Sequence, residues 1–413
     1  MTQFWIGGYG ADMGGDADGI GLLEGDEGRE PVSLAYRGAV ARVASPSWLA
    51  AHPALDIVYA ALEGSGTVQA FARTGERSLA GFGAPVEAGG GVCHLAVSSD
   101  GRSLVASCYG DGRLVRIGLD TSGLLGGVSV ADAATDPYAP SGGQSSAVDA
   151  GASGVDLDDV FASLAAPAAE VPRSGLLLFD EALGLTAEPA EPASEATDVF
   201  AAALAAASGP DASERTSRAH AAAFLPDGRI ATTDIGFDLV RIWRAGPSGL
   251  IADHRIVLPR GVGPRHMVVH PSGHLHVVTE YSCEVFTLAP GSDGRWRLVS
   301  ATAVSPAVQL GADFPSEISR SRDGETLYAG VRGSNTIAAL RVRGSGEFVE
   351  PLALADAGVD WPRHHLVHDG ALLVAGQRSD EIGVLDLDER TGAPRGIRHR
   401  TTAPAPSSIL LAR

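Results

Sequence analysis

A turn signature recurs along this chain at a nearly fixed spacing, and few folds can accommodate that. Its centres fall near Asp56, Asp100-Gly101, Asp227-Gly228, Ser272-Gly273, Asp323-Gly324 and Asp369-Gly370. Most neighbours lie about 45 residues apart, the length of one four-stranded propeller blade. A short apolar arm precedes each turn, as in His94-Leu95-Ala96-Val97 and His266-Met267-Val268-Val269, and a second follows, as in Ser103-Leu104-Val105-Ala106 and Leu275-His276-Val277-Val278. A third strand comes next, beginning at Thr67, Leu114, Leu239, Glu284, Thr336 and Glu381. Alternating apolar arms about a Gly-containing turn are β-hairpins. Six copies are continuous. The seventh is expected to be split, with Ser407–Leu411 supplying an inner strand and Phe4–Tyr9 completing the blade. Closure of this kind removes the exposed sheet edges at the seam. The expected fold is all-β, a single seven-bladed β-propeller over residues 1–413.

One interval breaks the rhythm. Between Gly101 and Gly228 the gap approaches three repeats, and the excess, residues 121–218, is rich in Ala, Ser, Pro and acidic residues. It reads as an insertion between blades two and three. Within it, Ser174–Asp180 reads as a strand of blade two and Ala196–Ala207 as a short helix stopped by Gly209-Pro210.

Folding each hairpin about its turn brings polar residues to one end of the blades, because antiparallel strands run opposite ways. His94 falls beside Tyr109, His220 near Asp234, Arg265 and His266 beside Glu280, Glu317 beside Arg332, and Arg363 and His364 beside Gln377. In a propeller these ends share one mouth of the central channel. Asp234 has a plainer role as an acceptor for backbone N–H groups. The run His266, His270, His274 and His276 does not make a zinc site, because strand spacing scatters it along the hairpin and no Cys or Asp completes a tetrahedron.

Composition narrows the chemistry. The formal charge is −19, so nucleic acid is not an expected partner. All 31 basic residues are arginine, which excludes Schiff-base lysine chemistry and the phosphate-loop lysine. A biased genome is the plain explanation. Any anion site must use the planar guanidinium fork. Cys93, Cys108 and Cys283 lack metal-ligand spacing and suggest reduced thiols in a cytoplasmic protein. The N-terminus shows no secretory leader, and no apolar run reaches the roughly 18 residues of a membrane span. Neither G-x-S-x-G nor H-E-x-x-H occurs, and the glycine clusters lack the strand–G-x-G-x-x-G–helix order. No cofactor and no metal are expected.

The segment Gly263-Pro264-Arg265-His266-Met267-Val268-Val269-His270-Pro271 followed by Glu280 resembles the lactonase family of seven-bladed β-propellers. That family includes propeller-type bacterial 6-phosphogluconolactonases and fungal 3-carboxy-cis,cis-muconate lactonising enzymes. Cys93-His94, Ser107-Cys108-Tyr109-Gly110, Arg332-Gly333 and Ala375-Gly376-Gln377 support the resemblance. It implies an active site of His220, Arg265, Glu280 and Arg332, with His94, Tyr109, His266 and Gln377 contacting substrate. Where family members often carry a second His just before the residue matched by His220, this chain has Arg218.

The resemblance and the rim together imply hydrolysis of a sugar-acid lactone. Either His220 or Glu280 serves as general base, and Arg265 and Arg332 hold the anionic group or the developing oxyanion. Two alternatives remain at this stage: cycloisomerisation of an unsaturated dicarboxylate, and a non-catalytic propeller that binds a partner through its channel face.

Overall fold

The computed structural model describes residues 2–25, 34–139 and 215–412. Among these residues, the strands form seven four-stranded antiparallel sheets. Apart from a single 3-10 turn at Ala11–Met13, no helix occurs among them. The third strands begin at the residues read from the sequence: Thr67, Leu114, Leu239, Glu284, Thr336 and Glu381. The central hairpin turns at Pro271-Ser272-Gly273, where Gly273 takes a φ of 92° and donates to the His270 carbonyl at 2.9 Å. That left-handed position is what Gly supplies without a Cβ clash.

The seventh blade closes the ring as expected. Pro406–Leu411 pairs with Gln3–Gly8, placing Phe4 opposite Leu411 and Ile6 opposite Ile409. Gly19–Gly25 and Leu34–Arg42 finish that sheet. Ring closure therefore joins the two chain ends in one hydrogen-bonded ladder.

Seven apolar clusters hold the blades together, each filling the gap between two neighbours. Tyr59 and Val68 of blade one meet Leu104 and Val115 of blade two. Ile242 meets Phe286 between blades three and four, and Trp5 meets Leu49 across the seam. Both faces of each middle strand are buried, so Leu275–Thr279 and Thr326–Arg332 are buried at every residue. This explains their continuous rather than alternating apolar character.

Two expectations need adjustment. The outer strand of blade two is Leu125–Val130, so the blade is complete without Ser174–Asp180, and the insertion begins after Val130 rather than at 121. Gly-rich and exposed, Leu125–Val130 lacks the alternation that identifies a strand. Ser174–Asp180 itself and the helix Ala196–Ala207 lie outside the described residues. The flanks of the insertion meet on blade three. Arg215 lies 3.2 Å from Asp136 and 2.6 Å from Asp238, and the Tyr138 hydroxyl donates to the Leu258 carbonyl at 2.6 Å.

Candidate active site

Every inner strand begins with the same irregularity. The register against the second strand slips between Pro46 and Trp48, Val92 and His94, Ala219 and Ala222, Pro264 and His266, Pro315 and Ile318, and Pro362 and His364. The seventh slip lies opposite Gly7 and Gly8, at Pro406 and Ser408. Each slip is a β-bulge, which leaves one residue unpaired and re-aims its side chain. Proline stands at five of these starts (Pro46, Pro264, Pro315, Pro362, Pro406), where a missing N–H costs no ladder bond. The bulged residues are Ser47, Cys93, His220, Arg265, Ser316, Arg363 and Ser407.

The bulges also correct the pairings read from the sequence. Arg332 lies opposite Phe314 rather than Glu317, and His94 lies opposite Ser107 rather than Tyr109. The residues just past, or at, the end of each second strand lie opposite the residue two before each bulge. In blade order they are Glu63, Tyr109, Ile235, Glu280, Arg332, Gln377 and Tyr9.

The structure brings Arg265, Glu280 and Arg332 into one network. Glu280 Oε2 lies 3.1 Å from Arg265 Nε, and its Oε1 lies 3.1 Å from Arg332 Nη2. Each guanidinium is fixed a second time. Arg265 donates to the Ser316 carbonyl, while Arg332 donates to the carbonyls of Phe314 at 2.9 Å and Pro315 at 3.3 Å. Arg332 also lies 5.4 Å from the centre of the Trp361 ring. Burial alone would raise the Glu280 carboxyl, but Arg332 and Arg265 outweigh it and hold the group below its ordinary value.

His220 is buried beside this network, with its ring edge-on to Tyr109 at 6.4 Å. Its Nδ1 has no hydrogen-bond partner. Burial first, and then the charge of Arg265, push its pKa well below 6.5, so the ring is neutral at ordinary pH. Tyr109 stands at the exposed rim, capped by Arg218 at 5.1 Å and paired with Tyr281. Gln377 lies at the equivalent position of blade six, with its Oε1 buried and unpartnered.

His94 and His266 do not join this group. They lie one step further along the inner strands, where their rings meet across the channel. Trp48 packs on His94 at 4.4 Å, on His364 at 5.2 Å and on His266 at 5.5 Å. Glu317 completes this layer, 3.6 Å from His266 Nδ1 and 3.8 Å from His364 Nε2. Burial pushes His94 and His364 down to about 3 and drives Glu317 well above the carboxylate range. The layer is thus a nearly uncharged floor beneath the charged mouth.

Two groups absent from the sequence-derived set belong to the mouth. Arg363 Nη2 donates to the Tyr9 hydroxyl at 2.6 Å, and Tyr9 donates to Glu63 Oε2 at 3.1 Å. Folding blades one and seven by the same hairpin rule would have found Glu63 and Tyr9. Asp234 is structural, accepting from the N–H groups of Arg218 and Phe237 and from the Ser217 hydroxyl. The remaining histidines of the run gather at the far turn of the hairpin, where the His270 and His276 rings lie edge-on 5.6 Å apart. His270 and His274 bracket Ser272 at the far turn, and His276 pairs with Thr287. All three cysteines are free and buried.

The profile of the family described as "Lactonase, 7-bladed beta-propeller" matches residues 3–147 and 189–411. The chain belongs to this lactonase family. Among curated relatives, a 6-phosphogluconolactonase of Bacillus subtilis is 25% identical over 207 residues, 49% of this chain and 59% of that protein. An uncharacterized protein of Lactococcus lactis is 28% identical over 193 residues, 45% of this chain and 56% of that protein. The match therefore spans little more than half the length of these relatives. Among solved structures, a periplasmic gluconolactonase of Pseudomonas aeruginosa superposes with a TM-score of 0.73 at 18% identity, covering 100% of this chain and 99% of that one. At that identity the likeness speaks for the fold.

Proposed function

We propose that this lactonase-family protein hydrolyses an anionic sugar-acid lactone of the 6-phosphogluconolactone type. The observation that carries the reading is the carboxylate of Glu280 held between Arg265 and Arg332 beside a neutral, unpartnered His220. Three guanidinium groups (Arg265, Arg332, Arg363) face two carboxylates (Glu280, Glu63) at the mouth. An overall acidic chain thus presents a locally cationic pocket to an anionic substrate.

In this mechanism His220 is the general base. Its ring is neutral and its Nδ1 has no hydrogen-bond partner, whereas both Glu280 oxygens are engaged by arginine. His220 takes a proton from water as the water oxygen attacks the ring carbonyl. Arg265 and Arg332 hold the developing oxyanion or the substrate's fixed negative group. Glu280 keeps both forks aligned.

The test is loss of 6-phosphogluconolactone against the buffer background. Wild-type protein is expected to accelerate ring opening. Arg265→Ala should reduce kcat/KM by about 10²–10³-fold, as removal of an oxyanion donor does. His220→Asn should lower kcat by about 10²–10⁴-fold. Equal rates with and without wild-type protein would remove the reading.

A further inference from the structure

Lactone opening needs more than a base and an oxyanion site. The ring oxygen leaves as an alkoxide and must receive a proton. Glu280 is ionised between two arginines, Gln377 has no acidic proton, and Tyr109 stands at the exposed rim under Arg218. Tyr9 is different. It occupies, in the seam blade, the position that Glu280 holds in blade four and Arg332 in blade five, so its ring enters the same mouth. Its oxygen accepts from Arg363 at 2.6 Å, and the Arg363 guanidinium lies 5.3 Å from its ring centre. Its hydrogen points to Glu63 at 3.1 Å. The charge of Arg363 also acts on His220, Glu280, Arg265 and Arg332, which places this second network around the same space as the first.

We propose that Tyr9 is the general acid of the reaction, donating its hydroxyl proton to the leaving ring oxygen while Arg363 supports the phenolate left behind. The inference rests on the lactone-opening reading above. The balance is complete without a further reactant. Water adds its oxygen to the carbonyl carbon and yields a proton to His220. On collapse the bond from carbonyl carbon to ring oxygen breaks, and its electron pair goes to the ring oxygen, which takes the Tyr9 proton. His220 releases its proton to solvent, and Tyr9 recovers one from solvent. One water is consumed, and a carboxylic acid and a hydroxyl are formed. Burial raises the Tyr9 phenol, with Arg363 pulling the other way, so the group is protonated across the neutral range.

The experiment compares wild type and Tyr9→Phe on two substrates of the same shape, a sugar-acid δ-lactone and its thiolactone. A thiolate, with an ordinary pKa of about 8.5, leaves without a proton, whereas the alkoxide does not. Tyr9→Phe keeps the ring packing, and a thermal melt verifies the fold. The expected result is a kcat loss of about 10²-fold or more on the lactone, with the thiolactone rate within about threefold of wild type. Undiminished kcat on the lactone, or equal losses on both substrates, overturns the assignment while leaving the lactonase reading intact. Failure of the wild type to open either ring overturns both.

Discussion

Glu280 and Arg332 come from neighbouring blades, and their side chains meet at 3.1 Å across the interface. Glu280 reaches Arg265 of its own blade at the same distance, so a single carboxylate spans the boundary between blades four and five. The site depends on how blades pack as well as on how each one folds. Its chemistry and its stability are therefore coupled.

Removing the Glu280 charge should expose that coupling. Glu280→Gln leaves two buried guanidinium groups without a counter-ion, a change that costs about 3–5 kcal/mol when one partner of a buried pair is lost. The melting temperature should fall, and added inorganic phosphate should restore more of it in the variant than in wild type, because an anion replaces the missing charge. Thermal melts with and without phosphate check this. An unchanged melting temperature would show that the arginines do not need the carboxylate.

The buried histidines set an acid limit on stability. Burial depresses His94, His364 and His365 to about 3, so between that value and the unfolded pKa of about 6.5 the unfolded chain binds protons that the native state refuses. Stability contributed by these groups is present above about pH 6.5 and is lost as pH falls towards 3. Each proton contributes a slope of about 1.4 kcal/mol per pH unit. Glu317 opposes this in part, because its raised pKa makes the native state take up a proton over the same descent. Urea titrations at several pH values should give a positive slope of stability with pH, shallower in His364→Asn. A flat profile between pH 6 and 4 would contradict the buried-neutral assignment.

His220 makes a kinetic counterpart. Its depressed pKa keeps the base form complete at neutral pH, so the acid limb of kcat/KM should lie well below the ordinary histidine value of about 6.5. A limb at or above 6.5 would assign the base to another group.

Gly263 fixes the approach to the site. It has a φ of 66°, and a Cβ there would lie 2.5 Å from the Tyr281 ring. Its carbonyl accepts from the Glu280 N–H at 2.8 Å, and its own N–H donates to Asp238 at 2.9 Å. Gly263→Ala should cost about 1–3 kcal/mol in backbone strain and lower activity through the shifted Glu280. Chemical denaturation and lactone assays on the same preparation test both parts.

Arg218 stands at the rim of the mouth. It caps Tyr109 and donates to the carbonyls of Tyr109 and Gly110, both at 3.2 Å. A rim cation of this kind should act on binding rather than on the chemical step. Arg218→Ala is expected to raise KM for an anionic lactone by about two- to fivefold, the worth of one exposed ion pair, with kcat near wild type. A kcat loss without a KM change would place it in the chemistry instead.

The sequence alone determined the ring of blades. Turn residues at a fixed spacing, flanked by apolar arms, define four-stranded units that cannot bury their faces singly, so closure into a propeller follows from local pattern. Outer strands such as Leu125–Val130 escaped this reading because they face solvent and carry no strict alternation. Arg265 and Glu280 could be brought together from sequence because the hairpin rule is also local, whereas the partners of Arg332 appear only once the blades pack. What only the tertiary structure decided was depth and partnership. The bulge that opens every inner strand shifts side chains by one residue, sending His94 and His266 to the channel floor and leaving Arg265 and Arg363 at the mouth. No sequence window shows that Arg363, Tyr9 and Glu63 meet, because their contact forms only when the chain ends close the ring and bring blades six, seven and one around a common axis.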